Sequence, residues 1–355
     1  MPMQARTNKE RLEAVIQGNV PSAKTKSILI PNLDLLRACA VLFVLADHTL
    51  FSLGVRRIWA SDMEWLGRLG VLFFFVHTCC VLMSSLERHK GQGLVWRFFV
   101  RRAFRIYPLS IVAVLLAMIP PHAPALRAAQ WLSNLALVQD LTFSPNAFGT
   151  LWSLPLEVQM YFFLPFIFLW MRRSKRRWPL LGLFVISIPV ALWQPHYVAR
   201  AAVLAFVPAF LPGVIAYWLF RKRLQRLPGW GVPILIGLIA VAFLEHPGWT
   251  FPAWTACLAL GVAIPLFRQI SSPAVNRVTF HLAKYSYGIY LSHSLLQTWM
   301  PPTWRNVPLY LLLVAAASIT AYHAVEYPLI RLGQHFTRDL ASVPPMAAHA
   351  EVPGA

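Results

Sequence analysis

Residues 66–86 read LGRLGVLFFFVHTCCVLMSSL, twenty-one positions whose one formal charge, Arg68, stands near the start. A hydrocarbon core about 30 Å thick is crossed by about 20 apolar residues in an α-helix. This run therefore predicts a membrane-spanning helix. Nine more runs of the same kind lie at 33–54, 104–120, 151–171, 178–194, 199–220, 230–245, 250–268, 282–300 and 308–327. Together they predict an all-α, polytopic membrane protein with about ten transmembrane helices. Composition agrees, with 57% apolar and only 13% charged residues among 355, about half the charged share of a soluble domain.

The net charge of +19 would by itself suit nucleic acid or anionic lipid. Its distribution argues against nucleic acid, because the basic residues sit in short clusters between apolar runs. With the N-terminus inside, 25 Lys and Arg fall on the inner side and six (Arg56, Arg57, Arg68, Arg127, Arg200, Arg305) on the outer side. Cytoplasmic loops of membrane proteins carry this excess, so both termini are expected in the cytoplasm. Residues 1–30 contain Lys and Arg without an apolar core, and no cleavable signal peptide is expected there. The transmembrane domain is read as 31–335 and the small, Pro-rich stretch 336–355 as a disordered tail. The segment 126–141 (LRAAQWLSNLALVQDL) is amphipathic and is expected at the interface or re-entrant. Cys39, Cys79, Cys80 and Cys257 lie within apolar runs, without metal-ligand spacing, and read as packing residues.

Ionisable groups inside such runs cost a few kcal/mol each and mark cavities or partners. In the first run, Arg37 and His48 are eleven residues apart, about three turns and 16 Å, so they share a face at different depths. Asp34, three residues before Arg37, is placed for a helical ion pair. Glu157 lies about one and a half turns below the outer end of the fourth run, a depth similar to that of His48, which suggests an acid–base pair. Tyr161 follows one turn later on the same face. Arg102 and Arg105 stand at the entry to the third run and share a face, a geometry suited to gripping phosphate. Ser286, Tyr290 and His293 line the ninth run, and Glu326 closes the tenth.

Six segments in this order resemble the integral-membrane acyltransferase-3 family. They are the LDxLR opening with its later histidine (Asp34, Arg37, His48), Gly70 to Val76, and Arg102-x-x-Arg105-x-Tyr107-Pro108. Thr150 to Tyr161 (TLWSLPLEVQMY), Ser286 to His293 (SYGIYLSH) and Glu326 to Pro328 complete the set. The resemblance runs from about 33 to 332. It implies transfer of an acyl group, acetyl foremost, from cytoplasmic acyl-coenzyme A to a hydroxyl of a surface or exported polysaccharide. It further implies a multi-pass protein of the bacterial inner membrane. Acyl-coenzyme A is then a donor substrate rather than a bound cofactor, and no metal is expected. Partners would be the lipid bilayer, the carbohydrate acceptor and polysaccharide-assembly proteins. By the same resemblance His48 is general base or acyl carrier, with Glu157 and Tyr161 beside it, and Arg37, Arg102 and Arg105 hold the coenzyme's phosphates. Asp34, Ser286, His293 and Glu326 are further candidates. Intramembrane charges on ten spans also suit a secondary transporter, the alternative from another functional class.

Overall fold

A computed structural model describes residues 30–339, apart from 59–60, 89–92, 120, 122, 174–177, 198–201 and 223. The N-terminal segment 1–29 and the stretch 340–355 thus lie outside the described residues. The structure is α-helical. Strand pairing among the described residues amounts to a two-residue ribbon, Arg57–Ile58 with Ser61–Asp62, and one isolated bridge between Leu227 and Phe267.

Each of the ten apolar runs is a helix, with short helices added at the interfaces. In chain order these are α1 (Pro31–Ser52), α2 (Glu64–Arg88), α3 (Leu94–Ala117), α4 (Ala128–Leu135), α5 (Ser153–Arg173) and α6 (Trp178–Tyr197). There follow α7 (Val203–Arg221), α8 (Gly231–Glu245), α9 (Phe251–Ala263), α10 (Pro273–Trp299) and α11 (Val307–Ala321). A π-helical turn, Tyr322–Glu326, leads into α12 (Tyr327–Asp339). Five helical stretches are long and apolar enough to cross a membrane: α1, α2, α5 with its preceding 3-10 turn, α7, and α11 run on into α12. The helices α6, α8 and α9 are apolar but shorter. The amphipathic segment at 126–141 becomes the eight-residue α4.

Two boundaries differ from those read in the sequence. The third helix begins at Leu94, ten residues early, so Arg97, Arg101 and Arg102 stand inside it rather than before it. The last helix runs to Asp339, past the expected boundary at 335. Arg101 Nε donates to the buried Thr337 Oγ1 (2.9 Å), which ties α12 to α3.

α2 is the centre of the bundle. It is apolar all round, as a fully enclosed helix should be, and packs on α1, α5, α7 and α9. Close approach relies on small residues, the usual device where lipid replaces water and the hydrophobic drive between helices is lost. Gly70 faces Ala40 of α1, and Gly213 of α7 lies against Val76 and Cys79 of α2. The apolar side chains left outside, such as Phe162 and Phe166 on α5, Val185 and Ile186 on α6, and Leu238 and Val241 on α8, form a lipid-facing surface. The start of α1 is held by a clip. The backbone N–H of Asn32, of the kind a helix end leaves open, donates to Gln269 Oε1 (3.2 Å), while the Asn32 side chain donates to Arg268 O (3.0 Å) and accepts from Ile270 N (3.0 Å).

Glycine packing predicts a contrast. A Cβ at Gly213 would fall 2.7 Å from Cys79 Cβ and closer still to the Val76 carbonyl, whereas a Cβ at Gly237 meets nothing within 4 Å. Thermal unfolding in detergent should show Gly213→Ala less stable by about 1–3 kcal/mol. Gly237→Ala should be no less stable than wild type, gaining up to about 1 kcal/mol from helix propensity. Equal stability of the two variants would mean that α7 does not pack this closely on α2.

Candidate active site

α1 and α10 run side by side in parallel and set the frame of the site. Arg37 Nε donates to Ser286 Oγ (2.6 Å), and Gln297 Nε2 donates to the His48 carbonyl (2.7 Å). Both pairs join residues 249 apart in sequence, so eleven residues of α1 keep step with eleven of α10. Between these two rungs, about 16 Å apart at 1.5 Å per residue, lie two cavities.

The inner cavity holds about 80 Å³, room for a few water molecules. Its polar lining includes Arg37, His77, Arg102, Arg105, Glu157, Tyr161, Ser286, Tyr287 and Tyr290, with Thr78 and Ser153 beside them. Tyr161 Oη donates to Glu157 Oε2 (2.7 Å), the one-turn pairing expected from the sequence. Arg105 is already committed, with Nη1 2.6 Å from Oε2 of Glu326, whose side chain is fully buried. Arg102 enters the same cavity with no ion-pair partner among the described residues. Asp34 does not take Arg37 as a contact partner. The guanidinium turns instead to Ser286, whose own hydroxyl donates to Ala283 O (2.9 Å).

The outer cavity is larger, about 670 Å³, and is lined by Asp47, His48, Glu64, Arg68, Thr150, Trp152, Trp249, Ser294 and Gln297 among others. The His48 imidazole Nε2 lies 3.8 Å from Asp47 Oδ2. Its ring meets that of His293 edge-on, with centroids 5.1 Å apart. His293 is fully buried, and its Nδ1 donates to Ile289 O (2.8 Å). That bond fixes the neutral tautomer with Nε2 as an acceptor, and Nε2 has no partner.

The expected single pocket of His48, Glu157 and Tyr161 is therefore two pockets. Tyr290 and Val71 line both and separate them. The cause is the level at which α5 begins. Tyr290 Oη lies 2.5 Å from Ser153 Oγ and 2.9 Å from Thr150 O, which pins the start of α5 beside Tyr290. Tyr290 is already nearly a turn deeper on α10 than His293. Glu157, a further turn into α5, thus comes to the level of Arg37 and Ser286 rather than that of His48.

Several residues of the outer cavity were not singled out by sequence reasoning. Asp47 had a visible signal, a second ionisable group beside His48 in one span. Arg68 was counted as an outer-loop charge, yet its guanidinium ion-pairs with Glu64 one turn earlier on α2. Gln297 and Trp249 carry no signal in a single sequence. His77, in the second span, is buried with Nδ1 unpartnered and lines the inner cavity. No cluster able to hold a metal ion is found among the described residues.

A family model described as an acyltransferase domain matches residues 30–323. The chain belongs to the acyltransferase-3 family. It is 26% identical over 293 residues to a protein of Acidianus two-tailed virus described as an acetyltransferase, covering 75% of this chain and 83% of that protein. It is also 24% identical, over an alignment of 372 positions, to the peptidoglycan O-acetyltransferase of Listeria monocytogenes, covering 86% of this chain. The chain spans 56% of the length of the Listeria protein. No solved structure matches. This member of the family is accordingly an acyltransferase of the membrane, and both cavities lie within the matched region, with Glu326 just beyond it.

The pair that closes the inner cavity is open to test. Breaking a buried ion pair on one side costs about 3–5 kcal/mol, whereas replacing both partners by apolar groups can be neutral. Arg105→Met alone should lower the unfolding midpoint in detergent sharply, because Glu326 Oε1 already lacks a partner. The double variant Arg105→Met/Glu326→Leu should recover most of that loss. No recovery would mean that Arg105 does not hold the Glu326 carboxylate.

Proposed function

We propose that the protein is an O-acyltransferase that moves an acyl group, acetyl foremost, from cytoplasmic acyl-coenzyme A to a carbohydrate hydroxyl on the outer side. The observation that carries this reading is the stacking of two cavities along α1 and α10. The inner one is cationic, with Arg37 and Arg102, and the outer one presents an imidazole backed by a carboxylate. The named activity of the Listeria relative, O-acetylation of peptidoglycan, supports acetyl as the group and a glycan as the acceptor. In this reading the ten helices cross the bacterial inner membrane with both termini cytoplasmic, and the arginines face the cytoplasm.

The chemistry assigns each group a task. Arg37 and Arg102 grip the donor's phosphates, for which planar guanidinium forks are suited. Arg105 serves by holding Glu326. The pantetheine arm passes Tyr290 and brings the thioester to His48. His48 takes the proton from the acceptor hydroxyl, whose oxygen attacks the thioester carbonyl. The carbon–sulfur bond breaks, and the thiolate leaves with the proton returned by the imidazolium. Asp47, 3.8 Å from Nε2, stabilises the imidazolium formed on the way. Glu157, held by Tyr161 at the level of Arg37, orders the arginines and does not itself touch the imidazole. Polysaccharide-assembly proteins would deliver the acceptor to the outer cavity.

The test separates the two cavities. With the protein in nanodiscs, His48→Ala should lose transfer of labelled acetyl from acetyl-coenzyme A by about 10²-fold or more. Donor affinity by calorimetry should stay unchanged. Arg102→Lys should do the reverse, weakening donor binding because a lysine cannot grip phosphate through two parallel bonds. Wild-type transfer by His48→Ala, or wild-type donor affinity in Arg102→Lys and Arg102→Ala alike, would overturn the assignment.

A further inference from the structure

The outer mouth of the site carries an aromatic cluster that the transfer chemistry does not use. Trp249 belongs to the loop between α8 and α9, and its ring lies 5.5 Å from that of Trp152, 5.8 Å from Trp65 and 5.6 Å from Phe206. Arg68 holds it there. The guanidinium sits over the Trp65 ring at 4.3 Å and over the Trp249 ring at 5.1 Å, while its charge is paired with Glu64. Cation–π contact of this kind fixes an indole's position. It also engages Arg68, the guanidinium lining the cavity among the described residues, which is thereby paired rather than free to receive an anion.

The rest of the wall is rich in hydrogen-bond acceptors. Asp47 is buried at 6% exposure, and its Oδ1 has no partner. It fits only because position 67 is glycine, where any Cβ would collide with the carboxylate. Gln297 spends its amide N–H groups on the His48 carbonyl and on Ser52 Oγ, so its Oε1 is the group that accepts, from the His48 imidazole or from a ligand hydroxyl. A partly buried wall of this kind attracts hydroxyl donors. It repels a carboxylate, because like charges placed together without a counter-ion cost several kcal/mol.

We infer that the outer cavity is the acceptor subsite for an uncharged sugar ring. The ring packs its apolar face on Trp249 and donates hydroxyls toward Asp47 and Gln297. An aromatic wall with a few convergent polar groups is the usual build of a small-ligand site. The inference rests on the carbohydrate-acceptor reading above and adds the acceptor's charge class and the residue that selects it.

The experiment presents the full-length protein in nanodiscs to an array of neutral and uronate-containing oligosaccharides. Neutral members should bind, and Trp249→Ala should weaken that binding by about tenfold. Trp249→Phe should retain most of the affinity, and both variants should bind acetyl-coenzyme A as wild type does, which also reports the fold. Preference for uronates, binding to no neutral member, or wild-type binding by both variants would overturn the inference. The two readings fail differently. If neutral glycans bind but receive no label from acetyl-coenzyme A, the transfer reading falls and the subsite stands. If label is transferred with an unchanged acceptor KM in Trp249→Ala and Trp249→Phe, the subsite falls and the transfer reading stands.

Discussion

Two side-chain hydrogen bonds between α1 and α10 set the geometry on which the rest of the site depends. Arg37 to Ser286 and Gln297 to His48 join the same pair of helices at the same sequence offset. The helices are thereby locked in parallel, with an inner polar level and an outer polar level. A slip of one helical turn would break both bonds together and strand a guanidinium inside the bundle. Burying an unpaired polar group costs far more than a hydrogen bond contributes, so the register is specified by what a wrong register would leave unsatisfied. The neighbouring helices follow these levels. α5 joins through Tyr290, and α3 joins through the Tyr287 hydroxyl, which donates to Ile106 O at 2.9 Å.

The fold was readable in outline because a bilayer permits few solutions. Apolar runs of about 20 residues must be helices, since no water is present to satisfy an open backbone. Charged groups within them must face a cavity. Arg37, Glu157, Tyr161, Arg102, Arg105, Ser286 and Glu326 do come together on these grounds around or beside one cavity. Relative depth was less readable. Counting residues from the outer end of each run assumed that the runs start level, and the pinning of α5 to Tyr290 starts it deeper. The early start of α3 was hidden for a related reason. Its first twelve residues carry four arginines, which look like a loop in hydropathy but form a helix through side-chain partners such as Thr337 and Glu326. Trp249 and Gln297 were out of reach altogether, because a loop tryptophan and a terminal-turn glutamine have no periodic or charge signature.

The π-helical turn before α12 shows the same economy of placement. A π turn inserts one extra residue and swings the following side chain about the helix axis, and such turns gather at functional sites. Here it ends at Glu326, whose carboxylate reaches Arg105 across to α3. With Arg105 neutralised in this way, the inner cavity keeps two guanidinium groups against one carboxylate, Glu157. The balance is cationic without being crowded. Three uncompensated arginines in a volume of about 80 Å³ would repel one another strongly in a medium that screens charge poorly.

Tyr290 then acquires a meaning that neither cavity supplies alone. It is the shared wall, held by Ser153 and Thr150 and set edge-on to Phe74 and His293. In the proposed reading, a donor thioester on one side has to meet an acceptor hydroxyl on the other while water is denied to it. A continuous wet channel would allow hydrolysis. The buried Tyr290 ring is held by hydrogen bonds to the start of α5 and by packing on Phe74 of α2, so the two cavities stay separate. The separation of Glu157 from His48 is the consequence. Glu157 stands at the level of Arg37 and Asp47 at the level of His48, so each level has a carboxylate of its own.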